Sequence, residues 1–148
     1  MGVVADAVLE LGGRVIGVIP DALSSTEIAH GGLTELHVVR NMHERKAMMA
    51  SLSSGFLTLP GGIGTLEEFF EILTWASLGI HEKPMGLLNV EGYFDPLLSF
   101  MRYAVEEHFV RDHQLESLVV SHDPDGMVAY FASQARSFPA VPIDTDIT

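Results

Sequence analysis

The spacing of apolar and polar positions changes period repeatedly along the chain. Helical spacing runs from Val3 to Leu11 and stops at Gly12-Gly13, where glycine permits the left-handed turn that ends a helix. Arg14-Val15-Ile16-Gly17-Val18-Ile19 predicts a strand halted by Pro20, and Asp21 to Leu33 reads as a polar loop. Glu35-Leu36-His37-Val38-Val39-Arg40 predicts a second strand. Asn41 is placed to cap a helix from Met42 to about Leu52, with Glu44 as its capping-box partner. Gly55-Phe56-Leu57-Thr58-Leu59 is a third strand, followed by a helix from Thr65 to about Leu78. A fourth strand is expected from Lys83 to Val90, then a long helix from Tyr93 to about Phe109 that accepts Pro96 in its first turn. Leu115 to Val120 predicts a fifth strand and Pro124 to Gln134 a last helix. Pro139 to Thr148 has two prolines and no period, and reads as a loose tail.

Near-continuous apolar strands alternating with helices indicate an α/β fold built on a doubly wound parallel sheet. A single domain over residues 1–138 is expected, with 139–148 as its tail. Ligands of such sheets sit beyond the carboxyl ends of the strands. Two chemistry-bearing segments fall at that edge. One is the glycine turn Leu59-Pro60-Gly61-Gly62-Ile63-Gly64-Thr65 after the third strand. The other is Arg45-Lys46, in the first turn of the helix after the second strand.

Composition narrows the picture. The 148 residues are 47% hydrophobic and 19% charged, enough for a sizeable core. There is no cysteine, which removes disulfides and thiolate metal sites. No apolar run reaches the roughly 18 residues of a membrane span. The start, Met1-Gly2-Val3-Val4, lacks the basic opening of a signal peptide, and Asp6 interrupts its apolar run, so a cytoplasmic location is expected. A formal net charge of −12 argues against a nucleic-acid surface. Against that background, three of the eight basic residues fall at Arg40, Arg45 and Lys46, a local cluster suited to a small anion.

Each candidate group has a plain role beside a functional one. At about 100° per residue, Met42, Arg45, Met49 and Leu52 share a helical stripe, so Arg45 is expected on the inward face. There it forms a structural salt bridge or clamps a ligand by forked hydrogen bonds. Lys46 lies a third of a turn away, a solvated position. Thr65 and Glu68 have capping-box spacing, worth about 1 kcal/mol. Glu68 is equally a carboxylate held ionised by the helix dipole, suited to act as a general base or a cation stabiliser. Three glycines in four positions let bare amides approach a phosphate at a helix start, though the loop is neither a Walker loop nor a first-strand dinucleotide fingerprint. His43-Glu44 and His81-Glu82 lack a zincin's second histidine, since positions 47 and 85 are Ala and Met; no metal is expected. No Gly-x-Ser-x-Gly elbow indicates a serine triad. Phe69, Phe70 and Trp75 read as core.

Met42-His43-Glu44-Arg45-Lys46 together with Pro60-Gly61-Gly62-Ile63-Gly64-Thr65-Leu66-Glu67-Glu68 resembles the Lonely Guy (LOG) family of cytokinin riboside 5′-monophosphate phosphoribohydrolases. That family's Pro-Gly-Gly-x-Gly-Thr-x-x-Glu pattern is met without departure. Gly31-Gly32-Leu33-Thr34-Glu35-Leu36 and Leu73 to His81 are also similar to it, and the resemblance covers roughly Gly2 to Asp123. It implies a Rossmann-like fold, a homodimer or higher oligomer, and hydrolysis of a nucleotide's N-glycosidic bond without cofactor. It implies catalytic roles for Arg45 and Glu68, and substrate contacts from Glu27, Arg45, Lys46, Gly62, Ile63, Gly64, Thr65, Leu66, Glu67, Glu68 and Thr74. Relative to the family the sequence opens at the helix after its first glycine-rich turn, so an earlier strand–helix–strand segment is expected to be lacking. The family's older label, lysine decarboxylase, fits poorly: that chemistry needs a Schiff-base lysine, and only Lys46 and Lys83 exist. Three other readings remain: a general purine 5′-monophosphate nucleosidase, a nucleotide- or molybdenum-cofactor-binding module without turnover, and an inactive truncated domain.

Overall fold

A computed structural model describes residues 2–24 and 30–134. The chain divides into two compact units, whose described parts are residues 2–24 with 30–52, and residues 53–134. The expected alternation of helices and parallel strands is present, and the strands form two ladders, one per unit.

In the first unit, α1 (Gly2–Glu10) precedes β1 (Ile16–Pro20), α2 (Asp21–Ser24), β2 (Glu35–Val39) and α3 (Met42–Leu52). The double-glycine stop works as expected. Gly12 takes φ +77°, and the N–H groups of Gly12 and Gly13 bond the carbonyls of Leu9 and Val8 at 2.9 and 2.8 Å. β1 and β2 pair in parallel from Ile16 opposite Glu35 to Pro20 opposite Val39. The strand starts at Ile16 rather than Arg14, because Thr34 and Glu35 both donate to the Val15 carbonyl as the ladder opens. Asp21 begins one helical turn instead of a loop.

In the second unit, β3 (Phe56–Thr58), β4 (Met85–Leu88) and β5 (Leu118–Ser121) form a parallel sheet in the order β3-β4-β5. Between them run α4 (Ile63–Ser77), α5 (Asp95–Glu106) and the short α6 (His113–Glu116), and α7 (Pro124–Gln134) closes the unit. All four residues of β4 are buried, as a central parallel strand requires. Phe69 and Leu73 from α4, Met85 and Leu87 from β4, Phe94, and Met101 from α5 make the core. α7 lies so close to β4 that a Cβ on Gly86 would come within 3.0 Å of Met127 and Phe131. The long helix begins at Asp95, not Tyr93, because a 3₁₀ turn at Val90–Gly92 intervenes and Glu91 there takes a non-helical φ of +49°.

Candidate functional site

The glycine turn follows β3 and opens α4. The helix begins at Ile63, with Gly62 as its N-cap in an extended conformation (φ −88°, ψ −160°) and no side chain bonded at the cap. The Gly62 carbonyl already accepts from the Leu66 N–H at 3.1 Å. Thr65 is therefore the third helical residue, not the cap, and the expected Thr65–Glu68 capping box is not formed. Thr65 instead covers Gly61, where a Cβ would lie 2.3 Å from its Oγ1. Packing thus accounts for Gly61. It does not account for Gly62 and Gly64: a Cβ on either would meet nothing within 4 Å, and neither has a positive φ. Their bare Cα atoms leave amides open at the positive end of a 15-residue helix.

Along α4, Leu66 packs against the core, Glu68 is half-buried in the second turn, and Ile63 and Glu67 face solvent. Phe70, expected in the core, is 39% exposed, because the buried face is set by Leu66, Phe69 and Leu73. Trp75 is half-buried. Thr74 lies on the exposed side, its hydroxyl donating to the Phe70 carbonyl at 2.7 Å. It follows Ile63 by eleven residues, about 16 Å along the axis, so the helix does not bring it to the glycine turn.

A second group of residues meets this turn from the end of β4. Asn89, 1% exposed, accepts the Phe94 N–H on Oδ1 and donates from Nδ2 to Asp95 Oδ1, each at 2.7 Å. Its carbonyl accepts from His122 Nδ1 at 2.6 Å, at the end of β5. The Tyr93 hydroxyl donates to the Gly61 carbonyl at 2.7 Å. Sequence reasoning missed these residues. The available signal was their position at the carboxyl ends of apolar strands, and Tyr93 was absorbed into a predicted helix.

In the first unit, Arg45 is half-buried and its Nε donates to the Val18 carbonyl of β1 at 3.3 Å. The expected inward stripe is rotated. Met42 and Leu52 are 43% and 42% exposed, and Ala50 is the buried residue of α3. Lys46 is half-buried rather than fully solvated. Asn41 Oδ1 accepts the Glu44 N–H at 2.9 Å as a cap should. The return half of that box differs. Glu44 accepts from the Arg40 N–H at 2.9 Å and pairs with the Arg40 guanidinium. The Arg40 hydrogen bond holds the Glu44 carboxyl below its usual range, and Glu44 in turn raises Arg40. Arg40 is thus engaged within its own loop, and Arg45 and Lys46 of the expected cluster also have interactions of their own. Glu27 lies outside the described residues.

Fold and turn define a Rossmann-like α/β protein with a glycine-rich helix start whose amides are open. The family model described as possible lysine decarboxylase matches residues 1–131, and the chain belongs to that family, the Lonely Guy (LOG) family. It is 50% identical over 134 residues to a cytokinin riboside 5′-monophosphate phosphoribohydrolase of Rhodococcoides fascians, covering 90% of this chain and 68% of that one. It is 56% identical over 110 residues to an enzyme of the same name from Arabidopsis thaliana, covering 74% and 52%. The corresponding figures for one from Oryza sativa subsp. japonica are 53% over 112 residues, covering 76% and 46%. The chain thus spans about two thirds of the bacterial relative and about half of the plant relatives.

Proposed function

We propose that the protein hydrolyses the N-glycosidic bond of a cytokinin riboside 5′-monophosphate or AMP, releasing free base and ribose 5-phosphate. The observation that carries this reading is the Gly62–Gly64 turn, where neither packing nor backbone conformation calls for glycine, followed by Glu68, which does not cap its helix. The names of the family relatives support the same reaction. The family match at 1–131 supports taking residues 1–138 as one nucleotide-binding domain. A homodimer is the proposed active form, supported by Phe100 and Tyr103 standing 63% and 57% exposed on α5.

In this mechanism the open amides of the turn hold the 5′-phosphate, so binding energy remote from the reacting bond fixes the sugar. As the bond to the base breaks, positive charge builds on the ribose, and an ionised Glu68 stabilises it. Glu68 also orients a water. The water oxygen bonds to C1′, one water proton leaves to the carboxylate, and the base departs with the bonding pair and takes up a proton. Arg45 anchors phosphate or ribose through its guanidinium. Lys46 and Glu67 complete the proposed contacts, and Thr74, about 16 Å along α4 from Ile63, is proposed to touch the substrate away from the turn. The deciding experiment is chromatographic detection of free base from AMP and from its N6-isopentenyl form. Glu68→Gln should lower kcat at least ~100-fold with normal folding, the range expected when a stabilising carboxylate or general base is removed. Near-full turnover in that variant overturns the role of Glu68, and no base from either nucleotide overturns the reaction.

A further inference from the structure

We propose that Tyr93 is a positioning residue that aims the Gly61–Gly62 peptide at the substrate phosphate. The inference rests on the nucleotide reading above and names a group that the sequence did not suggest. The Tyr93 hydroxyl donates to the Gly61 carbonyl at 2.7 Å, across 32 residues of sequence. All peptide bonds among the described residues are trans, and in a trans peptide the carbonyl and the next N–H point in opposite directions. Holding the Gly61 oxygen on one side therefore turns the Gly62 N–H to the other. Hydrogen bonding at the oxygen also polarises the peptide and strengthens that N–H as a donor. Among the described residues the Gly62 N–H has no acceptor, and a Cβ on Gly62 would meet only open space.

Tyr93 is itself held from the core outward. Its ring meets Phe94 edge-on, with centroids 5.0 Å apart and an 84° angle between planes, and Phe94 is 1% exposed. Asn89 fixes the Phe94 N–H and Asp95, as described above. The chain reaches this place through two consecutive positive φ angles, +49° at Glu91 and +73° at Gly92. Left-handed backbone at a glutamate is unfavourable and persists where surrounding structure overdetermines it. Gly92 cannot be replaced cheaply, since at φ +73° any side chain is strained. A strained turn thus delivers one phenol to one carbonyl of the anion loop. The Tyr93 side is 54% exposed, so removing its hydroxyl disturbs little packing.

The test is Tyr93→Phe in the full chain, assayed with AMP, with adenosine, and with inorganic phosphate as inhibitor. One weakened charge-assisted bond predicts KM for AMP up about tenfold and phosphate inhibition weakened about tenfold. The kcat should move less than about threefold and adenosine binding should stay unchanged, a split that general loosening of the fold does not produce. Unchanged KM and phosphate inhibition, or equal losses for AMP and adenosine, overturn the proposal. If wild-type protein releases no base, the hydrolytic reading fails, and calorimetric phosphate binding to wild type and Tyr93→Phe decides this inference separately: about tenfold weakening supports it, and equal or absent binding overturns it. Should the variant not fold, the Gly62 amide resonance of the wild type must shift on phosphate addition; an unmoved resonance overturns it.

Discussion

Gly64→Ala should move stability and nucleotide binding in opposite directions. Gly64 is the second residue of α4, has no positive φ, and a Cβ there meets nothing within 4 Å. Alanine therefore enters without strain and restricts the unfolded chain, adding about 0.5–1 kcal/mol of stability. For a chain of this size that raises Tm by about 1–4 °C. If a phosphate rests on the bare face of the turn, the same methyl group holds it off the amides. Losing one charge-assisted hydrogen bond, about 1.5–3 kcal/mol, weakens AMP binding roughly 10- to 150-fold. Thermal unfolding and titration calorimetry on the same preparation read both quantities. Gly61 cannot serve for this experiment, because its Cβ would strike Thr65 and confound binding with folding. A Gly64→Ala protein that is stabilised yet binds AMP like the wild type refutes the idea that the ligand approaches this face. A destabilised one refutes the reading of open space.

Asn89→Ala should lower stability by about 2–3 kcal/mol, because it strips partners from the buried Phe94 N–H and from Asp95; urea midpoints measure it, and a change below about 0.5 kcal/mol contradicts the account. Stability should also fall on acidification through His81. Its Nε2–H donates to the Ile72 carbonyl at 3.1 Å while Nδ1 accepts the Lys83 N–H at 3.2 Å, so the neutral ring is fully used. Burial, with a smaller part from the nearby Lys83 charge, lowers its pKa below 6.5. The unfolded chain then takes up the proton first, so this contribution is complete above about pH 6.5 and is lost as pH falls towards the lower folded value. Urea midpoints between pH 8 and 5 should slope less in His81→Phe than in the wild type, and identical slopes refute the assignment.

Local signals were legible wherever the controlling interaction is local. Asn41 capped the start of α3 at Met42, Pro124 opened α7, and the double glycine closed α1. The glycine turn and Glu68 stood out for the same reason: their spacing along the chain is their chemistry. Neighbouring choices were harder. Glu44 had two N–H groups within reach, and it took Arg40's because the Arg40 guanidinium adds an ion pair there. The start of α4 slipped two residues upstream because Gly62 needs no side-chain cap to begin a helix.

Sequence alone determined the alternating parallel architecture and the glycine-rich helix start with a carboxylate close behind it, since hydrophobic period and glycine spacing act within a few residues. Tertiary structure alone decided that Gly61 is bridged by Tyr93, that Asn89 locks Phe94 and His122, and that Gly62 and Gly64 open onto empty space. Those meetings arise because parallel pairing of β3, β4 and β5 brings their carboxyl ends side by side, joining loops that lie tens of residues apart. No period along a chain encodes which atoms then touch.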